Sequence, residues 1–388
     1  MKFPFAALSC LWIAASACGG SGEPKGNPEG TPPRRAVVNP DDPDACSECH
    51  AQIVGEWKES MHARAHHDND PIFAAVRQIA TGALGDEVAG DCANCHTPRD
   101  AANPDSPAGK LGVSCASCHM LDAVHPGKSG AEALGFADVV RMRAGHDMAE
   151  GSSPAHQTGL APEFIKDRKT VCLACHAAAA NPSGVNTCAT GAEFEVRKGE
   201  EKGCMDCHMP RIPGPGGIVG SRSEHARHVF LGPHRAWYHD DGEFLSTAVS
   251  LEGTLGETGL KVTLNNKTGH GFPTGFPGRV AMLSAVGKDA AGAEVWRNED
   301  SPESVFNKVY VDEAGKPTLP VLSKSMSRDN RLEPSESRTL EFEVPQTVAT
   351  VELKLELRLV STKAVAKLGL EGKLEAQPRT VASATIAR

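Results

Sequence analysis

Two textures divide the chain. Beyond Phe244 apolar and polar positions alternate, in Leu260-Lys261-Val262-Thr263-Leu264, in Arg279-Val280-Ala281-Met282-Leu283, in Thr339-Leu340-Glu341-Phe342-Glu343-Val344 and from Val351 to Leu357. A period of two puts every second side chain on one face. Such runs, parted by Gly, Pro, Asn and Asp turns, predict antiparallel strands in a small β-sandwich. Before that point no long periodic segment occurs, and short helices and loops are expected. One stripe stands out there: Ile53, Trp57 and Met61 recur every four residues and predict an amphipathic helix running into His62. The expected fold class is therefore α + β in separate domains, residues 44–243 rich in short helices and loops and residues 244–388 β-sandwich-like.

The N-terminus has a third texture. Lys2 precedes an apolar run, Phe3–Ala17, that is too short to span a bilayer and reads as an export signal over residues 1–18. Small residues ahead of Cys18, with Gly19-Gly20-Ser21-Gly22 after it, are those of a bacterial lipoprotein signal, with Cys18 as the lipidated N-terminus. Residues 19–43, rich in Gly, Pro, Asn and charge, read as a flexible linker. The expected location is exported: periplasm-facing, or an outer-membrane or cell-surface lipoprotein, tethered to the membrane at Cys18.

Composition changes this picture in one respect. Only 5% of the 388 residues are aromatic, against 39 Gly and 27 Pro, a thin supply for a large core in the front half. A cofactor with a large apolar face would make up the deficit. The net charge of −9 argues against a nucleic-acid surface and favours a locally positive redox partner.

The 13 cysteines identify that cofactor. Cys-x-x-Cys-His occurs five times: Cys46/Cys49/His50, Cys92/Cys95/His96, Cys115/Cys118/His119, Cys172/Cys175/His176 and Cys204/Cys207/His208. Two thiols three apart on one turn add to the two vinyl groups of one haem, and the next residue presents its imidazole to the iron from the same side. Zinc ribbons pair two such dithiols per metal and need no histidine at a fixed next position. Five pairs do not divide into four-cysteine sites, and every pair here has its His. Five covalently bound haem c groups, and hence iron, are expected. Cys188 is left over, and a buried thiol is the simplest reading.

A haem iron with one histidine has an open face. A second strong ligand suits electron transfer, whereas an open face admits substrate. Sixteen histidines less the five in motifs leave eleven, enough to close every site, and no motif is altered, so no open site is expected. His62 is the leading distal candidate, with His66 as fallback and His67 solvated. His125, just after the third motif and before Pro126, is expected to serve a neighbouring haem. His146 and His156 stand at even odds. Of the cluster His225, His228, His234 and His239, His228 and His234 are favoured. His270, in Gly269-His270-Gly271-Phe272-Pro273-Thr274-Gly275, is either structural or reaches back from the β-part to a haem. Met61, Met120 and Met209 are less favoured alternatives.

Cys46-Ser-Glu-Cys-His50 followed by Trp57-Lys-Glu-Ser60-Met-His62-Ala63 resembles the opening of the cytochrome c554-type multihaem family. Gly112-Val-Ser-Cys115-Ala-Ser-Cys118-His119, Cys204-Met-Asp-Cys207-His208-Met-Pro210 and Arg227-His228-Val-Phe230-Leu-Gly232-Pro-His234 are similar to segments of that family, and the 269–275 turn is similar to one in members with a trailing β-domain. The resemblance covers roughly residues 44 to 290. It implies mostly bis-histidine haems in close pairs, with His62, His125 and His228 as distal ligands. The founding type has four haems where this chain has five motifs, which puts haem order and ligand pairing in doubt. The function expected is electron transfer in the cell envelope, with other redox proteins or quinol-linked donors as partners. A nitrite, hydroxylamine or peroxide oxidoreductase with one open haem is the alternative, and a subunit of a conducting assembly the second.

Overall fold

The computed structural model describes residues 39–388 except 138–140, 143, 145–154, 195–201, 219–221 and 299–300. The signal segment, Cys18, most of the linker and His146 lie outside the described residues.

The front part is built of short helices that end on the haem motifs. Helix α1, Pro43–Lys58, starts at the Asp42 cap with Pro43 in its first turn, and its helical geometry breaks at His50. Helix α2, Pro71–Leu84, is capped by Asp70, whose side chain accepts from the Ile72 and Phe73 amides. Helices α3 (Glu87–His96), α4 (Cys115–His119), α5 (Thr170–His176) and α6 (Cys204–His208) each terminate at the motif histidine. One helical turn is what the motif needs, because residues at i, i+3 and i+4 share a face. The apolar cluster belonging to this part alone is small: Leu121, Ala133, Leu134, Val171 and Ala174, with motif cysteines packed against it.

The trailing part holds two antiparallel sheets. Strands β1 (Val249–Leu255) and β2 (Gly259–Asn266) pair with each other, and β2 pairs with β5 (Ser337–Glu343). In the second sheet β3 (Val280–Lys288) lies between β4 (Glu294–Arg297) and β6 (Thr350–Arg358), and β6 carries β7 (Arg379–Ala387) on its far side. The alternation read from sequence is the burial pattern: Leu260, Val262 and Leu264 face inward from one sheet, Val351, Leu353, Leu355 and Leu357 from the other. A Cβ on Gly253 would lie 2.9 Å from both Leu353 and Ile386, so the two sheets meet there face to face. Helices and antiparallel sheets together make the fold a mixed α and β one.

The core of the sheets continues into the front part. Ile72 of α2 and Ala236, Trp237 and Leu245 belong to the same buried cluster as the strand residues. Polar contacts fix the short helix α7, Arg235–Tyr238, to the chain's end: Trp237 Nε1 donates to Gln377 O at 2.9 Å, Tyr238 Oη to Glu375 Oε1 at 2.8 Å and Arg379 Nε to Ala236 O at 2.6 Å.

One predicted element stops early. The Ile53–Trp57–Met61 stripe implied a helix reaching His62, but α1 ends at Lys58 and His62 sits in the turns that follow. Its backbone oxygen accepts from the Ala65 and Val113 amides. Gly112 approaches so closely that a Cβ there would lie 2.5 Å from His62 O, and its φ of 68° is one that glycine alone adopts freely. The third motif is thereby held against the His62 turn.

Candidate haem sites

All five Cys-x-x-Cys-His motifs line one cavity of about 2110 Å³, with an apolar wall. Pockets for a single small molecule run to about 300–1,000 Å³. The volume suits several large cofactors side by side.

Eight of the histidines facing this cavity occur in pairs. Ring centroids of His50 and His156 are 6.3 Å apart, His62 and His176 6.4 Å, His119 and His228 6.1 Å, and His208 and His270 6.4 Å, with interplanar angles of 25–38°. An iron between two opposed Nε2 atoms, with bonds of about 2 Å and roughly 1.1 Å more from each nitrogen to its ring centre, would hold the rings about 6.2 Å apart. Each pair joins a motif histidine to one from elsewhere in the chain, and the spacing fits haem iron.

Hydrogen bonding fits as well. Nδ1 of His96 lies 2.8 Å from Ala65 O, that of His156 3.0 Å from Gln157 O, that of His228 2.6 Å from Ala226 O and that of His270 3.1 Å from Gly271 O. His50 and His208 make the same bond to Gly216 O and Leu231 O. A carbonyl only accepts, so each Nδ1 carries the proton and Nε2 is left with a lone pair for metal. Burial lowers the pKa of His62 to about 3 and of His228 to about 4, which keeps both neutral as ligands must be.

The histidine of the second motif is different. His96 stacks on Phe73, centroids 3.7 Å apart at 19°, and no described imidazole faces it at the pair spacing. His146, one of the two candidates at even odds, lies outside the described residues, so the expectation that spare histidines close every site stands for His96. Two distal candidates are corrected. His125 is exposed at the end of the strand Leu121–Val124, where its amide bonds Ala133 O, and it faces no motif histidine because the hairpin turns it outward. His234 lines the cavity but stacks on Tyr238, centroids 6.2 Å apart, with its Nδ1 held by Arg279 at 3.3 Å. His62, His228 and His270 are placed opposite motif histidines. His225 is bound to Glu56 at 3.0 Å and is not free to face an iron, and His66 is fully buried beside His67 and Asp105 and opposite no motif histidine. Met120 is core. Burial pushes the Cys188 thiol up to about 11, as suits an inert thiol.

The motifs also adjoin one another. The thiols of Cys46 and Cys115 are within hydrogen-bonding reach, as are those of Cys95 and Cys175 and those of Cys172 and Cys204. The fourth motif thus touches the second and the fifth, and the first touches the third.

His270 is brought to the cavity by the loop between β2 and β3, and a buried ionic cluster fixes that loop. Glu193 binds Arg331 at 2.8 Å and Lys308 at 3.3 Å, and accepts from Thr274 Oγ1 at 2.7 Å. Burial opposes ionisation of Glu193, but Arg331, Thr274 and Lys308 outweigh it and hold its pKa below the ordinary 4.5. Glu193→Ala leaves Lys308 without its carboxylate while Arg331 keeps Asp329, and it is expected to cost about 1–3 kcal/mol in denaturant unfolding of the holoprotein. Because the folded pKa is depressed, this stabilisation is present above the ordinary carboxylate pKa and drains as pH falls through the folded value. The wild-type advantage over the variant should therefore shrink in acid, and an advantage constant down to pH 3 would contradict the assignment.

Helical attachment motifs, paired imidazoles and a shared apolar cavity are the features of multihaem c-type cytochromes, a class whose covalently bound haem c supports electron transfer. Residues 45–120 match the family of cytochrome c554 and c-prime. The fold is similar to a penta-haem cytochrome c552 from Thermochromatium tepidum: 26% identity, a TM-score of 0.71, and coverage of 88% of this chain and 97% of that one. No curated protein matches the chain.

Proposed function

We propose that this chain carries five haem c groups, four closed by two histidines each and one open at His96, and that it passes electrons to or from a small molecule at the open site. The observation that carries this reading is the set of four imidazole pairs at 6.1–6.4 Å beside His96, which stacks on Phe73 and has no imidazole opposite it at that spacing among the described residues. Bound haem iron supplies a one-electron couple whose potential is set by ligands and burial. The chain's own residues do the rest. The motif cysteines fix the attachment points in contact with one another, backbone carbonyls hold the imidazoles in the metal-binding tautomer, and Phe73 fixes the His96 ring.

The signal-like segment ending at Cys18 supports export and lipid tethering, and the net charge of −9 supports a basic docking face on a redox partner. No helix of the described residues is long and apolar enough to cross a membrane. The test is spectroscopy of the purified holoprotein. One high-spin ferric haem per chain is expected by electron paramagnetic resonance, with about one carbon monoxide bound per chain after reduction. Low-spin signals alone and no carbon monoxide binding would leave a closed electron carrier.

A further inference from the structure

We propose that His66, His67 and Asp105 bind a divalent transition-metal ion of the zinc class, at a site separate from the haem cavity. The inference does not depend on whether the haem at His96 is open.

The three residues join the turn before α2 to the loop before α4, and none of them lines the haem cavity. His66 Nε2 lies 3.6 Å from Asp105 Oδ1, and His67 Nε2 lies 3.5 Å from the same oxygen. One ligand atom from each residue falls within 4.8 Å of the other two. The two measured separations are too long for good hydrogen bonds. They suit a shared ion, because donors about 2.0–2.1 Å from a tetrahedral centre stand about 3.3–3.4 Å apart. The His66 side chain is fully buried, and its Nε2, aimed at Asp105, has no hydrogen-bond partner. A buried polar atom without a partner calls for an explanation, and a metal ion supplies one.

Both sides of the site are held in place by their own bonds. His66 O accepts from the Asn69 and Asp70 amides, and Asp70 caps α2. Across the gap, Ser106 Oγ donates to Asp100 Oδ2 at 2.6 Å and the Lys110 amide donates to Ser106 O. Asp105 pairs with no lysine or arginine among the described residues, and the nearby Lys110 is taken by Asp68 at 3.6 Å. The Asp68 amide donates to His66 Nδ1 at 3.1 Å, so without an ion the neutral ring carries its proton on Nε2. A metal at Nε2 moves that proton to Nδ1 and costs the amide bond. The Asp68 carboxylate, 3.5 Å from Nδ1, is placed to accept the proton in a carboxylate–histidine–metal arrangement. Two imidazoles and one carboxylate favour zinc and its neighbours over magnesium and calcium, which prefer oxygen ligands. The Asp105 side chain is 61% exposed, so the ion enters from solvent, and water or a small ligand completes its shell.

Zinc chloride is titrated calorimetrically into the haem-loaded full chain after chelator treatment and dialysis, and bound metal is counted by elemental analysis. One zinc per chain is expected beyond the haem iron, with magnesium and calcium ineffective. His67→Ala and Asp105→Asn should each weaken zinc by about tenfold or more, with haem content and low-spin signals unchanged. Asp105→Asn keeps the side chain's shape at an exposed position, so the test stands even where His67→Ala does not fold. His125→Ala, at an exposed histidine outside the site, should leave zinc affinity as it is. Zinc affinity unchanged in both site variants, or in whichever folds, overturns the proposal, as does magnesium binding of equal strength. Conversion of a low-spin haem to high spin in His67→Ala also overturns it, because it makes these residues part of a haem site.

Discussion

Replacing Cys172 and Cys175 together by alanine is expected to yield a chain with one haem fewer that folds poorly or not at all. The fourth motif is where the front part has most to lose. Its helix supplies Val171 and Ala174 to the small apolar cluster, and both cysteines pack against that cluster. Cys172 touches Cys204 and Cys175 touches Cys95, so the attachment points of the fifth and second motifs lean on it. Losing one buried leucine side chain costs about 2–5 kcal/mol, and a macrocycle is far larger than a leucine. Total stability of a domain is only about 5–15 kcal/mol, so the loss should reach the threshold for folding. The matching change at the first motif, Cys46 and Cys49 to alanine, breaks contact with one other motif, at Cys115, and should leave a soluble four-haem protein. Haem-to-protein ratio, intact mass and thermal unfolding measure all three chains. Equal yield and equal melting of the two variants would show that the fourth motif has no central role.

What could be read from the residues alone follows from how local the physics is. The attachment motifs were legible because covalent chemistry demands two thiols and an imidazole on one helical turn. The strands were legible because a half-buried sheet imposes alternation, and Leu260, Val262 and Leu264 bury as their spacing requires. Distal ligands were legible only in part, since a distal histidine comes from wherever the chain passes over the other face of the haem. His62 was favoured by the apolar stripe before it and His228 by its place in a histidine cluster, and family resemblance implied both. His156 arrives opposite His50 from a distant Ser-rich stretch with no local signature. His125, close in sequence to a motif, is turned out by its hairpin, and His270 crosses from the β-part because the Glu193 cluster pins its loop. A count of spare histidines says that closure is possible but not which rings meet. The stacking of His96 on Phe73 is a property of packing, and so is the tautomer of His234, which depends on an arginine at the start of a strand.

His228→Ala offers the sharpest check on the pairing, because it should open a second iron without moving the backbone. The His228 ring faces His119 at 6.1 Å and its Nδ1 bonds Ala226 O. Its own amide is held independently, donating to Glu56 Oε2 at 2.8 Å, and Glu56 is held in turn by His225 at 3.0 Å. Burial opposes the charge on Glu56, but the His228 amide, His225 and Gln52 together keep its carboxyl below the ordinary carboxylate pKa, so it is an ionised anchor at neutral pH. Alanine at 228 therefore removes the imidazole and keeps the strap. Haem content should be unchanged, a second high-spin signal should appear, and carbon monoxide bound per reduced chain should rise from about one to about two. His125→Ala, at an exposed position facing no motif histidine, should change none of these. The same shift to two in His125→Ala, with none in His228→Ala, would mean that the ring spacings mislead and that family resemblance was the better guide to His125. A rise in His228→Ala alone ties the third haem to that imidazole and leaves the His96 site as the open face of the native protein.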